Sequence, residues 1–253
     1  MRSTIVVCSY NRPIQAQTQS VIDAMTRHGA AYVPQTGSAD VALARCYALT
    51  GACDALRVLN KMVQEAAAAG RAKRPDYDTV LMVDDDMLFE LDQAQELINY
   101  TRKNAVPASA LYATITGGIA AMPMPGKVTL PGEKGLWLAG LGLLAIPAWM
   151  LLRLEAESET FVTLQGTKRA FTSSTCRDGR WYSEDFELCH RLGGVHLLPI
   201  AIGHLKTIPI YPDDETVRKV TAGIALPESL SAEELDALEP NRIARNADGG
   251  RGV

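Results

Sequence analysis

Three consecutive carboxylates, Asp84, Asp85 and Asp86, follow the apolar run 79–83 and are the residues whose type and spacing most directly suggest chemistry. Adjacent like charges repel each other unless a cation or well-placed hydrogen bonds compensate them. Carboxylate oxygens are also preferred ligands of Mg²⁺ and Mn²⁺. The triplet therefore suits metal or nucleotide binding, and the structural alternatives are a solvated acidic loop or the cap of the next helix.

A second candidate lies in segment 181–192, which predicts a helix with Ser183 as its N-cap. At helical spacing, Leu188, Cys189 and Leu192 form an apolar stripe that includes Asp185. A carboxylate in a buried stripe is costly unless it faces a cavity, a metal or a substrate, so Asp185 is a candidate general base. The alternative is a first-turn acid favoured by the helix dipole. The opposite side of this helix carries Glu184, Glu187, His190 and Arg191.

The third candidate is His204, which follows the apolar run 195–202 and Gly203. A histidine at the end of such a strand could reach the same crevice as the acids and ligate a metal. The alternative is a structural histidine, the interpretation that we keep for His28 and His196.

The elements that must position these side chains alternate along the first hundred residues. The pattern predicts strands at 4–8, 31–34 and 79–84, and helices at 13–27, within 41–69 and at 91–100. This order indicates an α/β fold with an open, doubly wound sheet. Ligands bind beyond the carboxyl ends of the strands in such sheets, which is where the acid triplet lies.

The middle third of the chain has a different pattern, because glycines and prolines break it into short segments that favour a smaller mixed region. The uncharged stretch 136–152 falls short of the roughly 20 residues that a spanning helix needs. We interpret it as a strand at 141–146 and a helix that starts at Pro147. A strand at 161–164 and a polar loop through Gly179 are expected to follow.

Composition excludes some classes of function. The 253 residues carry a formal net charge of −4, which gives no global reason to expect nucleic-acid binding. The five cysteines form no C-x-x-C pair, which favours a reduced, cytoplasmic protein without a zinc site. We expect one domain over 1–245, with a nucleotide-binding half at 1–105, an acceptor-side half at 106–212, and a disordered tail at 246–253.

Taken in order over residues 4–206, these motifs resemble those of GT-A fold glycosyltransferases, particularly family-2-like and small phage or bacterial members. The segments that carry the resemblance are Ser9-Tyr10-Asn11-Arg12, Ala42-Leu43-Ala44-Arg45, Asp84-Asp85-Asp86, Gly140-Leu141-Gly142, Ser183-Glu184-Asp185 and Gly203-His204. The resemblance implies a Rossmann-like, open, twisted, mostly parallel sheet with helices on both faces.

It also implies a metal-dependent transfer of a sugar from a nucleotide-sugar donor to an acceptor hydroxyl, with inversion. Asp86 and His204 would hold Mn²⁺ or Mg²⁺, and Asp185 would be the catalytic base. The nucleotide-sugar contacts would be Ser9, Asn11, Arg12, Arg45, Asp84, Asp85 and Lys206. The acceptor or sugar contacts would be Gly140, Trp181 and Glu184. A UDP-sugar is the favoured donor and a GDP-sugar the second candidate; the acceptor is a glycan, a protein, a lipid carrier or a hydroxymethylated DNA base.

Two departures from the family matter. Cys46 stands where many relatives carry asparagine, and the Gly-rich signature with a P-K pair of related nucleotidylyltransferases is absent, which argues against sugar activation. The competing functions are a magnesium-dependent phosphohydrolase and a non-catalytic nucleotide-sugar binding module. We expect loss of Arg45 to weaken nucleotide binding with little change in the fold.

Overall fold

The structure is a computed structural model that describes residues 3–9, 14–34, 40–70, 76–114, 118–125, 135–164, 166–177, 179–205 and 209–210. The predicted site residues Asn11, Arg12 and Lys206 lie outside these ranges, as does the predicted tail at 246–253. Ser9 is described as a strand residue, without its side chain.

The secondary structure of the described ranges alternates as predicted through the first hundred residues. The helices are α1 (Ala16–Arg27), α2 (Val41–Ala68), α3 (Leu91–Asn104), α4 (Ala148–Ala156) and α5 (Glu184–Arg191). The strands are β1 (Thr4–Ser9), β2 (Ala31–Val33), β3 (Thr79–Asp84), β4 (Met87–Leu88), β5 (Ala108–Leu111), β6 (Ala121–Pro123), β7 (Trp137–Ala139), β8 (Leu143–Pro147), β9 (Thr160–Thr163), β10 (Gly166–Arg169), β11 (Thr175–Arg177), β12 (Arg180–Tyr182), β13 (His196–Ala201), β14 (Gly203–Leu205) and β15 (Pro209–Ile210).

Six strands form the central sheet in the order β2-β1-β3-β8-β5-β13. β1 runs parallel to β2 and β3, and β13 runs parallel to β5. β8 is antiparallel to both of its neighbours, β3 and β5. The described residues between β5 and β8 form the short strands β6 and β7 and no helix, which suits the antiparallel pairing of β8. The predicted open, mostly parallel, Rossmann-like sheet is confirmed, but β3 is not flanked by parallel strands on both sides.

Helices cover both faces of this sheet, as predicted. Along β1, Ile5 and Val7 point to a core shared with α2, α4 and α5. Val6 and Cys8 point to the opposite core, which α1 and α3 complete. This two-sided burial explains why the central strands read as continuous apolar runs rather than alternating ones.

Local capping signals explain where α2 and α3 begin. α2 is a single helix of 28 residues whose N-cap, Asp40, accepts a 2.8 Å hydrogen bond from the Leu43 N–H. α3 begins with a capping box in which Glu90 and Gln93 exchange hydrogen bonds, and it extends beyond the predicted end at residue 100. Pro147 is the N-cap of α4 rather than its first residue.

The acceptor-side half contains more strands than predicted. The strand predicted at 161–164 is present as β9, but the polar loop expected after it is only partly correct, because β10 and β11 lie within that segment and pair in antiparallel hairpins with β9 and β12. The residues of β10 and β11 are mostly polar, so no alternation of apolar and polar residues marked these two strands in the sequence. Within the described ranges, none of the helices combines the length and the apolar character that crossing a bilayer requires. The division into two halves of one domain stays a prediction.

Candidate active site

The acid triplet lies where β3 reaches the edge of the sheet. β3 is buried through Val83 and ends at Asp84, and Asp85 and Asp86 form the turn into β4. The register of β1 with β3 brings Ser9 beside Asp84. The predicted position of the triplet at the carboxyl edge of the sheet is therefore correct.

β14 brings His204 to this edge. β14 pairs with β4 in antiparallel register, with His204 opposite Met87, and the Leu205 N–H donates a 2.7 Å hydrogen bond to the Asp86 carbonyl. As a result His204 Nε2 lies 3.3 Å from Asp86 Oδ2. Main-chain pairing thus holds both residues and brings their side chains together.

The imidazole of His204 is oriented by a second contact. Its Nδ1 lies 3.2 Å from the carbonyl oxygen of Ala113. The Ala113 carbonyl and the Asp86 carboxylate can both only accept, and a neutral imidazole has one N–H, so the ring can donate to only one of them at a time. A cation shared by Nε2 and Asp86 would leave the proton on Nδ1, where the Ala113 carbonyl accepts it, so this arrangement suits a metal ligand.

This pair fits a metal site that a substrate completes. In the described part of the chain, no three or more His, Cys, Asp or Glu side chains are grouped so that they could hold an ion by themselves. Mg²⁺ sites, however, commonly use one or two carboxylates together with substrate phosphates. One oxygen and one nitrogen ligand with open positions suit Mn²⁺ or Mg²⁺ in this way.

A cluster of three carboxylates around one arginine lies at the same edge, and we call Arg45, Asp84, Glu184 and Asp185 the acid–arginine cluster. Arg45 is only 3% exposed, with Nη2 2.9 Å from Asp84 Oδ2 and Nη1 3.0 Å from Glu184 Oε1. Nη1 also forms an ion pair with the Asp185 carboxylate. The Arg45 guanidinium therefore connects three elements of the fold: α2, the end of β3 and the first turn of α5.

The first turn of α5 is held in place from two sides. The Thr172 hydroxyl donates a hydrogen bond to the Glu184 carbonyl, and the Leu141 N–H donates one to Asp185. Ser183 is the N-cap as predicted, although its side chain makes no capping hydrogen bond. The glycine segment 140–142 thus contacts the candidate base through its backbone.

Burial dominates the electrostatics of the cluster. Desolvation raises the pKa of the Asp185 carboxyl to about 7, Arg45 opposes this rise, and Glu184 and Asp84 add to it. Burial likewise raises the pKa of Asp84 against the opposing effect of Arg45. Burial alone would lower the pKa of Arg45, but Asp185 and Asp84 outweigh it and raise that pKa. The guanidinium is therefore charged, and Asp185 titrates near neutral pH.

One oxygen of Asp84 has no hydrogen-bond partner. Oδ1 is buried and makes no hydrogen bond within the described part of the chain, whereas Oδ2 contacts Arg45. A buried carboxylate oxygen left unsatisfied costs free energy, and a ligand that donates a hydrogen bond would remove that cost. Asp84 Oδ1 is therefore a candidate acceptor for a polar ligand bound at this edge of the sheet.

The remaining predicted residues have less decisive positions. Asp85 is buried, and its carbonyl accepts a 3.2 Å hydrogen bond from the Gln15 N–H at the start of α1. Trp181 on β12 is 52% exposed, just before the N-cap of α5. His196 contacts the Tyr100 hydroxyl at 2.8 Å, consistent with its predicted structural role.

The helical wheel of α5 was only partly correct. Leu188, Cys189 and Leu192 are buried as predicted, but Glu187, expected on the polar side, is also only 6% exposed. α5 packs against β7 and also adjoins β12, so protein neighbours bury this helix on more than one side. A helical wheel describes one helix alone and contains no information on such flanking elements.

Tyr112, which directly follows β5, is a residue of this site that was not predicted from the sequence. Its ring centroid lies 5.1 Å from that of His204 in an edge-to-face arrangement, and the side chain is buried. A Cβ atom at Gly140 would lie 2.0 Å from the Tyr112 Oη, so the hydroxyl end of the ring rests on that glycine. The available signal was its place after an apolar strand, the same signal that pointed to the acid triplet and to His204.

Comparisons with known proteins do not establish the function of this chain. No protein-family model and no curated protein matches the sequence. The chain is similar to the solved structure of A197 from STIV, with 17% identity, 85% of this chain and 95% of that chain covered, and a TM-score of 0.46. It is also similar to a point mutant of UDP-glucose pyrophosphorylase from Leishmania major, with 10% identity, 77% of this chain and 61% of that chain covered, and a TM-score of 0.36. A third likeness is to the nucleoside-diphosphate-sugar pyrophosphorylase from Vibrio cholerae RC9, with 10% identity, 77% and 72% covered, and a TM-score of 0.32. Likenesses this distant do not assign a family.

Proposed function

We propose that this chain is a metal-dependent glycosyltransferase of the GT-A type, which transfers a sugar with inversion from a nucleotide-sugar donor to an acceptor hydroxyl. The observation that carries the proposal is the juxtaposition, at one sheet edge, of a pair suited to a divalent ion and a half-buried carboxylate whose pKa is raised to about 7 by desolvation. Asp86 and His204 form the pair, and Asp185 is the carboxylate. Inverting sugar transfer from a nucleoside diphosphate can use both parts: the ion to neutralise the leaving group and the carboxylate to take up the acceptor proton.

On the donor side, the residues present fit a divalent ion that the diphosphate completes. When bound by Asp86 and His204, Mn²⁺ or Mg²⁺ would neutralise the charge that builds on the departing diphosphate. Asp84 would accept a hydrogen bond from the nucleoside through its unsatisfied Oδ1. Ser9, Asn11, Arg12, Asp85 and Lys206 are the further nucleotide-sugar contacts that we propose.

On the acceptor side, Asp185 would take the proton from the acceptor hydroxyl. That oxygen forms a bond to the anomeric carbon as the bond from this carbon to the diphosphate oxygen breaks. A base with a pKa near the working pH combines a large ionised fraction with a useful proton affinity. Arg45 holds the carboxylate in place, and Gly140, Trp181 and Glu184 are the proposed acceptor or sugar contacts.

The proposal leaves the acceptor open among a glycan, a protein, a lipid carrier and a hydroxymethylated DNA base. For the donor, we favour a UDP-sugar over a GDP-sugar. We propose that Arg45 is a site residue that positions the three carboxylates of the acid–arginine cluster through its ion pairs and also lies near the bound nucleotide. Its Nη atoms contact three carboxylates, so a phosphate contact would come in addition to those ion pairs.

The test is to incubate the full chain with a panel of sugar nucleotides and Mn²⁺ and to measure the released nucleoside diphosphate. A transferase releases it from particular sugar nucleotides, faster when a suitable acceptor is added, and loses this activity in excess EDTA. A phosphohydrolase would hydrolyse simple phosphate esters irrespective of the sugar, and a binding module would bind UDP without turnover. Either of those two outcomes would overturn the proposal.

A further inference from the structure

His204 is held on three sides, one from the turn before β4 and two from the residues that directly follow β5. Asp86 in that turn faces Nε2, the Ala113 carbonyl contacts Nδ1, and the ring of Tyr112 packs against the imidazole with an interplanar angle of 75°. The two polar contacts restrain the nitrogens, but a ring can still rock about the axis that joins them. An aromatic ring packed edge-to-face against the imidazole opposes that motion.

Tyr112 is itself held by backbone contacts and by Gly140. The Ala120 N–H donates a 3.3 Å hydrogen bond to the Tyr112 carbonyl, and Ala113 pairs with Ile119 next to it. At the other end of the side chain, no Cβ could occupy Gly140 without moving the Tyr112 ring, since Oη would lie 2.0 Å away and Cζ 2.6 Å away. The Tyr112 ring can therefore occupy its position only because residue 140 has no side chain.

We propose that Tyr112 is a positioning residue for His204, which keeps Nε2 directed at Asp86, and that Gly140 serves as the seat of the Tyr112 ring. This inference deepens the proposed function, because it concerns the residues that would hold the divalent ion. The ring, and not the hydroxyl, is the part that acts. Phenylalanine should therefore replace Tyr112 without loss, whereas an aliphatic residue should not.

The glycine provides a second, independent way to displace the ring. Gly140→Ala changes no atom that touches His204, yet it should disturb His204 through Tyr112. Gly118→Ala is the matched control, because the nearest atom to a Cβ there is Thr114 Oγ1 at an ordinary 3.8 Å. Both substitutions add one methyl group, which at Gly140 would meet the Tyr112 ring and, at 3.0 Å, the Ala120 Cβ, whereas at Gly118 it would meet nothing closer than 3.8 Å.

The first measurement is the tautomer of His204, read from ¹⁵N chemical shifts of the metal-free full chain labelled at its four histidines, at a pH where the imidazoles are neutral. His204→Gln assigns the signal. We expect one tautomer to dominate in the parent chain, in Tyr112→Phe and in Gly118→Ala. Tyr112→Leu and Gly140→Ala should give a mixture of tautomers.

The second measurement is the affinity for Mn²⁺ in the presence of UDP, from the loss of the free-ion electron paramagnetic resonance signal. Losing a residue that orients a metal ligand typically weakens binding by about 10- to 100-fold. We expect this loss in Tyr112→Leu and Gly140→Ala and no loss in Tyr112→Phe. Far-ultraviolet circular dichroism checks folding, and Tyr112→Met, which fills more of the vacated volume, replaces any variant that fails to fold.

The outcomes separate this inference from the proposed function. If the parent chain binds no Mn²⁺ with UDP, the metal site fails, and the tautomer of His204 still tests the role of Tyr112. If the parent chain binds Mn²⁺ and a folded Tyr112→Leu or Tyr112→Met variant keeps both the tautomer and the affinity, the inference is overturned and the proposed function stands. Weakened binding in Tyr112→Phe would also overturn it, by assigning the effect to the hydroxyl.

Discussion

Arg45 Nη2 lies 2.9 Å from Asp84 Oδ2, which ties a buried position of α2 to the last residue of β3. The same guanidinium contacts Glu184 and Asp185 in the first turn of α5. Removing one partner from a buried ion pair costs far more than the pair itself contributes, because an uncompensated charge stays behind. The cluster therefore couples the stability of the fold to the geometry of the candidate site.

Arg45→Ala should destabilise the fold, contrary to the expectation from sequence that the fold would change little. The substitution leaves three carboxylates at least partly buried without their counter-ion, which should lower the free energy of unfolding by about 3–5 kcal/mol. Urea unfolding measures this directly. Lys61→Ala on the same helix is the control, since Lys61 is 77% exposed and its removal should change stability by no more than about 0.5 kcal/mol. If Arg45→Ala and Lys61→Ala were equally stable, the ion pairs of Arg45 would not stabilise the fold.

Asp185→Asn should leave donor binding intact and reduce transfer by about 10² or more, the usual contribution of a general base. The amide keeps the shape of the side chain but cannot take up the proton. Calorimetric titration with the sugar nucleotide and initial rates of transfer give the two readouts. The matched control is Asp92→Asn, which removes an exposed first-turn acid of α3 outside the site. Transfer at the parental rate, or a product with retained anomeric configuration, would remove Asp185 from the role of base.

The stability of the chain should fall as the pH rises from about 4 to about 7 because of Asp185. Its pKa in the fold is raised to about 7 by burial, against an ordinary value near 3.9 in the unfolded chain. Between these values the folded state binds the proton more tightly, so its stabilising effect is complete at low pH and is lost as the carboxyl ionises. Asp84 shifts in the same direction and adds to the effect. Urea unfolding across this range should show a smaller pH slope for Asp185→Asn than for the parent chain.

The rate of transfer should follow the opposite trend. A general base works in its ionised form, so kcat/KM should rise with pH and level off above an apparent pKa of about 7. The measured value will belong to the acid–arginine cluster as a whole, because its carboxyls interact. A flat profile down to about pH 5 would contradict the assignment of a raised pKa to the base.

Removal of either proposed metal ligand should abolish metal-dependent donor binding. His204 Nε2 and Asp86 Oδ2 lie 3.3 Å apart, and Asp86→Ala and His204→Ala each remove one of these two side chains. A single protein ligand then remains for the ion. Titration of UDP with and without Mn²⁺ measures the loss. His196→Ala, whose imidazole contacts Tyr100 instead, should retain metal-dependent binding as long as it is folded. Full activity of the parent chain in excess EDTA would refute the metal site.

The sequence by itself determined the elements whose pattern reflects burial. The apolar run of β3 and the periodicity of α2 and α3 follow from which side chains leave water, and that preference is written locally in the chain. The same reasoning placed Asp84 to Asp86 and His204 just beyond strand ends. Parallel strands end at a common edge, so the meeting of Asp86 with His204 could be anticipated without coordinates.

Only the tertiary structure decided which distant residues share an environment. The insertion of β8 between β3 and β5, the three ion pairs of Arg45 and the burial of Glu187 all depend on how elements far apart in the chain are ordered. Tyr112 gave no sign of its contact with His204, because an aromatic residue after a strand has many uses and its neighbour lies far along the chain. Local patterns record whether a side chain is buried, whereas the identity of its partners is set by the topology that packs one element against another.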